Sequence, residues 1–156
     1  MKKLLYLLLL LPLGFMVSCS SEDDLPDVDI AVSFDNVVSA ENTLYVVQGD
    51  TLKVKGVAVR GNDNKNAIIT NVSYMWDGLL VTWNPIAPFG VNIMMDFPKP
   101  GRHVLSIYMD IAQEDKSLAY GILEYKVTVV GDSTELPAGT KPGPYTSISY
   151  MGTKQK

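Results

Sequence analysis

His103 is the only histidine of the chain and the first residue to consider for catalysis, because imidazole is the usual base of a Ser-His-acid triad. A single histidine excludes a cluster of imidazole metal ligands. A catalytic His103 needs a neighbouring nucleophile and a third, orienting group, and the sequence nominates neither. His103 shares the parity of Leu105 and Ile107 in an alternating stretch, so we predict a structural, hydrogen-bonding residue near the rim of the fold.

Carboxylate pairs are the second candidate, since glycoside hydrolysis needs two acids that face each other across a sugar. A fold this small offers no deep cleft of the kind usual for catalysis. We predict that the protein is not an enzyme, and a small hydrolase is the least favoured alternative. The acids lie at predicted strand ends or turns, where they are solvated: Asp77, Asp96, Asp110, Glu114 and Asp115.

The stretch "NDNKN", Asn62 to Asn66, resembles the alternating oxygen ligands of a calcium loop. It lacks the glycine in the middle of such a loop and the closing glutamate, and it supplies one carboxylate. We therefore predict a hairpin loop here, no metal site, and no cofactor for the chain.

The N-terminus has the layout of a secretory signal. Lys2 and Lys3 are followed by an apolar run from Leu4 to Val17, and Ser18 is a small residue directly before Cys19. The run is shorter than the roughly 20 apolar residues that span a bilayer. We predict that residues 1–18 are a signal peptide that is removed, and the competing interpretation is an incidental thiol inside a leader cleaved further on.

"MVSC" resembles the bacterial lipobox, in which the cysteine thiol takes a diacylglycerol and becomes the new N-terminus. The resemblance implies a covalent lipid on Cys19, with palmitate among its chains, that anchors the protein to a membrane. The acidic stretch that follows, "SSEDDLPDVD", predicts a solvated tether over residues 19–27. "CSSEDD" also resembles the export signal of surface lipoproteins in Bacteroidota-type outer membranes. It implies a lipid-anchored protein exposed at the cell surface, with the periplasmic face as the alternative.

The charge balance argues against nucleic acid as a partner. The whole chain carries 13 basic and 17 acidic residues, and without Lys2 and Lys3 it carries 11 against 17, a net charge of −6. Nucleic-acid binding depends on basic residues that meet phosphates.

The folded region, residues 28–130, has a dominant apolar period of two, which is typical of half-buried strands. Seven or eight short strands without a credible helix predict an all-β fold, a two-sheet antiparallel sandwich. The clearest strands place these residues inward: Leu105, Ile107, Met109 and Ile111 in one, and Leu123, Tyr125, Val127 and Val129 in the other.

A family resemblance follows from four motifs in order: "GDTLKVKG", "VSYMWDG", "PGRHVLSIYMDI" and "YKVTVV". Their order and spacing resemble the polycystic-kidney-disease-type (PKD-type) immunoglobulin-like domain over roughly Gln48 to Val130. The resemblance implies an Ig-like β-sandwich. His103 stands where the family has an aromatic residue, and "GLLVTWNPIAPFG" replaces its glycine-rich turn.

Two aromatic residues are the candidate ligand-binding residues. Trp83 and Phe89 lie in the apolar stretch "LLVTWNPIAPFG", where an exposed platform would stack on sugar rings or on a partner protein. The alternative is that both residues cap one end of the sandwich. Tyr74 and Trp76 share the parity of Val72 and are predicted to belong to the core.

The tail, residues 131–156, is rich in Gly, Pro, Thr and Ser. Within it, "GPYTSISYMG" predicts an extra edge strand, a strand donated to another subunit, the start of a second domain, or a disordered end. The expected function is that of a non-catalytic surface lipoprotein, a binding or spacer module whose partners are the membrane and either a glycan or another envelope protein. The alternative is an adhesion or filament subunit that uses the C-terminal strand.

Overall fold

The computed structural model describes residues 25–62 and 64–152. The signal peptide, Cys19 and most of the tether lie outside the described residues, so the predictions for them stay predictions. Within the described part of the chain, no helix has the length and apolar character needed to cross a bilayer.

Nine β-strands make up the fold of the described residues. One short 3-10 turn, Ser133–Glu135, lies in the connection before the last strand. The strands are β1 (Val28–Ala40), β2 (Thr43–Val47), β3 (Thr51–Gly61), β4 (Ala67–Trp76), β5 (Leu79–Asn84), β6 (Val91–Met94), β7 (Gly101–Gln113), β8 (Ala119–Val130) and β9 (Gly143–Met151).

The strands form two sheets that share β1. Sheet A has the order β9-β1-β3-β6, and sheet B has the order β5-β4-β7-β8-β2. β1 joins them because its last residues, Val38 to Ala40, pair with β2, which in turn runs parallel to β8. This arrangement confirms the predicted fold class, an Ig-like β-sandwich.

The core lies between the sheets and follows the predicted alternation. In β7, Leu105, Ile107, Met109 and Ile111 are all at most 1% exposed. In β8, Val127 and Val129 are buried, and Leu123 and Tyr125 pack against the same cluster. Burying one such aliphatic side chain contributes about 1.5–3 kcal/mol, so these strands hold the sandwich together.

The connection from β3 to β4 corrects one prediction. The stretch 62–66 is not a hairpin loop, because β3 pairs with strands of sheet A and β4 with strands of sheet B. The chain therefore crosses from one sheet to the other at this point. Asp63, the carboxylate of the stretch, lies outside the described residues.

The tail contains β9, which pairs antiparallel with β1 from Val28↔Met151 to Val37↔Gly143. Tyr145 of β9 stacks on Phe34 of the core, with ring centroids 6.2 Å apart. β9 is therefore an edge strand of this chain's own sheet A, and the sandwich extends beyond the predicted boundary at residue 130.

The sandwich has two distinct ends. β1 begins at Val28 beside Gly61 and Met151, which places the N-terminal attachment at one end. The opposite end, called the far end below, carries the turns that join β2 to β3 and β4 to β5, together with the connection from β6 to β7. β1 pairs with β3 over eight residues, with a bulge between Ser33 and Phe34, so the two ends lie about 25 Å apart at about 3.3 Å per residue.

Candidate functional site

Trp83 lies on β5 with its side chain on the outer face of sheet B. Its cross-strand partner is Ser73 of β4, whose neighbours Val72 and Tyr74 point into the core and are fully buried. Successive side chains of a strand point to opposite faces, so Ser73 and Trp83 face solvent. Trp83 is 57% exposed, as a ligand-binding role requires.

Phe89 does not share that surface, and the expectation of an exposed Phe89 is wrong. The residue is 7% exposed and belongs to the core cluster. The loop before β6 folds back onto sheet A, where the backbone N–H of Val57 donates to the carbonyl of Pro88 at 3.0 Å. The buried Tyr74 hydroxyl also donates to the carbonyl of Phe89. Burial raises the pKa of Tyr74, so the phenol keeps the proton that this hydrogen bond needs.

The pairing register brings other exposed side chains beside Trp83. Ser73 pairs with Tyr108 of β7, and Tyr108 pairs with Ile122 of β8. The resulting line across four strands, Trp83, Ser73, Tyr108 and Ile122, is called the aromatic row below. Tyr108 is 41% exposed and Ile122 is 55% exposed. Two strand spacings separate Trp83 from Tyr108, which is about 10 Å.

A polar concavity of about 530 Å³ lies on sheet B towards the far end, and we call it the basic concavity. Arg102 of β7 pairs with Thr128 of β8, which pairs with Tyr45 of β2. Two residues further along β7, on the same face, Val104 pairs with Lys126, and Lys126 pairs with Thr43. Arg102 and Lys126 are thus diagonal neighbours on one face. Sequence reasoning missed this site, because residues 24 positions apart carry no local signal of their proximity.

His103 is held at the far end by three contacts. Its Nδ1 lies 2.7 Å from Oδ2 of Asp77, its Nε2 lies 2.8 Å from the carbonyl oxygen of Lys99, and its ring stacks on Trp76 at 5.1 Å. The other oxygen of Asp77 accepts the backbone N–H of Val104 at 2.9 Å. The prediction of a structural, hydrogen-bonding histidine is confirmed.

The partners of His103 determine its protonation. Desolvation lowers the pKa of His103, but the hydrogen bonds to Asp77 and Lys99 and the negative charge of Asp77 outweigh it and raise the pKa overall. Both partners are acceptors, so both ring nitrogens must donate, which only the imidazolium does. For Asp77, desolvation raises the pKa, and the hydrogen bonds from His103 and Val104 outweigh it and lower the pKa. With both nitrogens engaged, His103 has no free acceptor for a nucleophile's proton.

An apolar groove of about 400 Å³ lies on the other side of the His103–Asp77 pair. Its apolar lining includes Leu79 and Val81 of β5, Met94 of β6 and Phe97, which is 92% exposed. Among the described residues, no group of three or more histidine, cysteine or acidic side chains is arranged to hold a metal ion.

Comparisons with known proteins add little to this geometry. No family model and no curated protein matches the chain. Among solved structures, the chain is similar to the fibronectin(III)-like modules of CbhA from Clostridium thermocellum, with 14% identity and a TM-score of 0.43. The match covers 69% of this chain and 48% of that chain, so it spans about half of that structure. Membership in the PKD-type family stays a prediction.

Proposed function

We propose that this protein is a non-catalytic binding module, held at the outer-membrane surface by a lipid on Cys19, and that the aromatic row binds a glycan. The observation that carries the proposal is the placement of Trp83 and Tyr108 on one exposed face, two strands apart. No cofactor other than the covalent lipid is part of the proposal.

Several features of the aromatic row suit a sugar chain. Indole and phenol rings present large apolar faces with a polar tip, which matches the alternating C–H and hydroxyl surfaces of a sugar ring. Ser73 lies between them and supplies a hydroxyl donor and acceptor. Tyr120, one of the most exposed aromatic residues, pairs with Asp110 on the same outer face and extends the surface along β8.

The position of the attachment bears on the surfaces at the far end, whereas the aromatic row crosses sheet B near the middle of β7. The N-terminal tether meets the sandwich beside Gly61 and Met151, whereas the basic concavity and the apolar groove lie towards the far end. A lipid on Cys19 would therefore leave these surfaces turned away from the membrane. A ligand arriving from outside would reach them without crossing the anchor.

The test is glycan-array binding by the processed protein, with Trp83→Ala as the variant and Ile148→Ala as the control. Ile148 is 72% exposed and lies on β9, at the edge of the other sheet. We expect Trp83→Ala to abolish glycan binding with little loss of thermal stability, and Ile148→Ala to change neither. No binding to any glycan, or equal binding by both variants, would overturn the proposal.

A second candidate function, an adhesion or filament subunit, rests on the edge of β9. The nine residues of this edge strand carry no charged side chain, and charges are a common protection of exposed edges. Another chain would then add a strand to sheet A at β9. Oligomers that survive dilution and disappear when Ser147 is replaced by proline would support this function over the first. A monomer at all concentrations would exclude it.

A further inference from the structure

We propose that the basic concavity binds an oxyanion group, a carboxylate or a sulfate, carried on a sugar. Arg102 and Lys126 would contact the oxyanion, and Tyr45 would contact the sugar ring. This inference rests on the proposed function and deepens it, because it names the class of glycan that the outer face of sheet B takes.

The basic concavity contains two positive charges that no carboxylate of the described chain pairs with. Arg102 and Lys126 are exposed, and among the described residues neither forms an ion pair within 4 Å. They are diagonal neighbours, a geometry in which long side chains reach the same point above the sheet. Like charges this close repel each other, and one oxyanion between them would remove the repulsion.

The carboxylates that face the concavity do not cancel this charge. Both oxygens of Asp77 are engaged, one by His103 and the other by the backbone N–H of Val104. Glu41 lies in the turn between β1 and β2 and also lines the concavity, so its carboxylate offsets one of the two positive charges. Glu124 is the next outward residue of β8, beside Ser106 rather than beside Arg102. Arg102 and Lys126 against Glu41 leave a net positive charge to meet a ligand's negative charge.

The remaining lining indicates a sugar rather than a free ion. Tyr45 and Thr128 continue the line of Arg102 across the sheet, and Thr43 lies beside Lys126. An aromatic ring offers a stacking surface for a sugar, and the two threonine hydroxyl groups offer hydrogen bonds. The guanidinium beside them recognises a carboxylate or sulfate with two parallel hydrogen bonds. The volume, about 530 Å³, lies within the range of small-ligand sites.

The basic concavity and the aromatic row lie on one face. Tyr108 and Arg102 are six residues apart on β7, which is about 20 Å along the strand. A glycan of several units that stacks on the aromatic row would thus place an acidic unit at Arg102. The two regions make separable contributions, one apolar and one ionic.

The experiment compares matched polymers on the processed protein by affinity electrophoresis and calorimetry. Polygalacturonate is paired with its methyl ester, and dextran sulfate with dextran. The variant is the double change Arg102→Gln and Lys126→Gln, and the control is Lys55→Gln with Arg60→Gln. The control removes the same charge from two exposed residues of β3 on sheet A.

We expect one acidic polymer to bind at least tenfold more tightly than its neutral partner, and the double variant to lose that difference while the control keeps it. The polymer that binds identifies the oxyanion as carboxylate or sulfate. Equal binding of acidic and neutral polymers, or an equal loss in the control, overturns the inference. If Trp83→Ala still abolishes binding of a neutral glycan in that case, the proposed function stands without it. If acidic polymers bind the Trp83→Ala variant as tightly as the wild type, the assignment of the glycan site to the aromatic row is wrong. The assignment of the oxyanion site to the basic concavity then stands.

Discussion

His103 and Asp77, 26 residues apart in the chain, meet side chain to side chain at 2.7 Å and join the end of β4 to the start of β7. Asp77 follows β4 in a left-handed conformation, with φ of 48°, before Gly78. The turn thus aims the Asp77 carboxylate at both His103 and the backbone of Val104. This pair fixes the wall between the basic concavity and the apolar groove.

The pair predicts a pH dependence of stability. The folded-state pKa of His103 is raised, so its contribution is complete below the pKa of an unfolded histidine, about 6.5, and is lost as the pH rises through the folded value. The pKa of Asp77 is lowered, so its contribution is complete above about 3.9 and is lost as the pH falls through the folded value. The pair stabilises most between about pH 4 and 6.5.

Thermal unfolding of the wild type and His103→Gln between pH 5 and 9 measures this contribution. We expect the variant to be less stable by about 1.5–3 kcal/mol at pH 5.5, the range for hydrogen bonds to charged groups, and the difference to shrink towards pH 9. A difference that is the same at every pH would mean that His103 acts only through its packing on Trp76.

The close approach of Gly61 to the β3–β4 connection predicts a second stability effect. A Cβ added at Gly61 would lie 2.1 Å from the backbone carbonyl oxygen of Lys65, so the connection has to move. Gly61→Ala should destabilise by about 1–3 kcal/mol, as other overpacking substitutions do. Gly143→Ala is the matched control, since nothing lies within 4 Å of its Cβ position. Equal midpoints in urea for the two variants would contradict the crossing geometry.

The alternation of apolar and polar residues predicted which face of each strand is buried, but not which strands lie beside one another. Leu105 and Val127 point inward because apolar and polar residues alternate around them, and this signal is complete within each strand. Trp83 lies beside Ser73 and Tyr108 only because of the register of β4 with β5 and β7.

Register depends on bulges and on sheet assignment, which the sequence pattern does not encode. β4 carries a register shift between Tyr74 and Met75. The predictions for Phe89 and for residues 62–66 were wrong for the same reason. Both depend on which of the two sheets the following strand joins. The proximity of Arg102 to Lys126 likewise follows from the pairing of β7 with β8.

The contact of β9 with the core predicts which of its side chains contribute to the stability of the fold. Tyr145 stacks on Phe34 and packs against the core cluster, whereas Ile148 faces solvent. Tyr145→Ala should lower the free energy of unfolding by about 2 kcal/mol through the lost aromatic contact and the cavity it leaves, and Ile148→Ala should change it by less than about 0.5 kcal/mol. If Tyr145→Ala instead disperses oligomers at unchanged stability, β9 acts between chains.

Lipid attachment at Cys19 is the prediction on which the location of the protein depends. The thioether bond needs a sulfur nucleophile, and Cys19 is the only cysteine of the chain. Each buried CH₂ contributes about 0.8 kcal/mol, so two or more acyl chains hold a protein stably on a membrane. Cys19→Ser should therefore abolish palmitate labelling and release the protein from the membrane fraction, while the fold of residues 28–151 is unchanged. Ser18→Ala, which keeps a small residue before the thiol, should retain the label. Labelling that survives Cys19→Ser would place the anchor elsewhere, and protection from added protease on intact cells would place the wild-type protein on the periplasmic face.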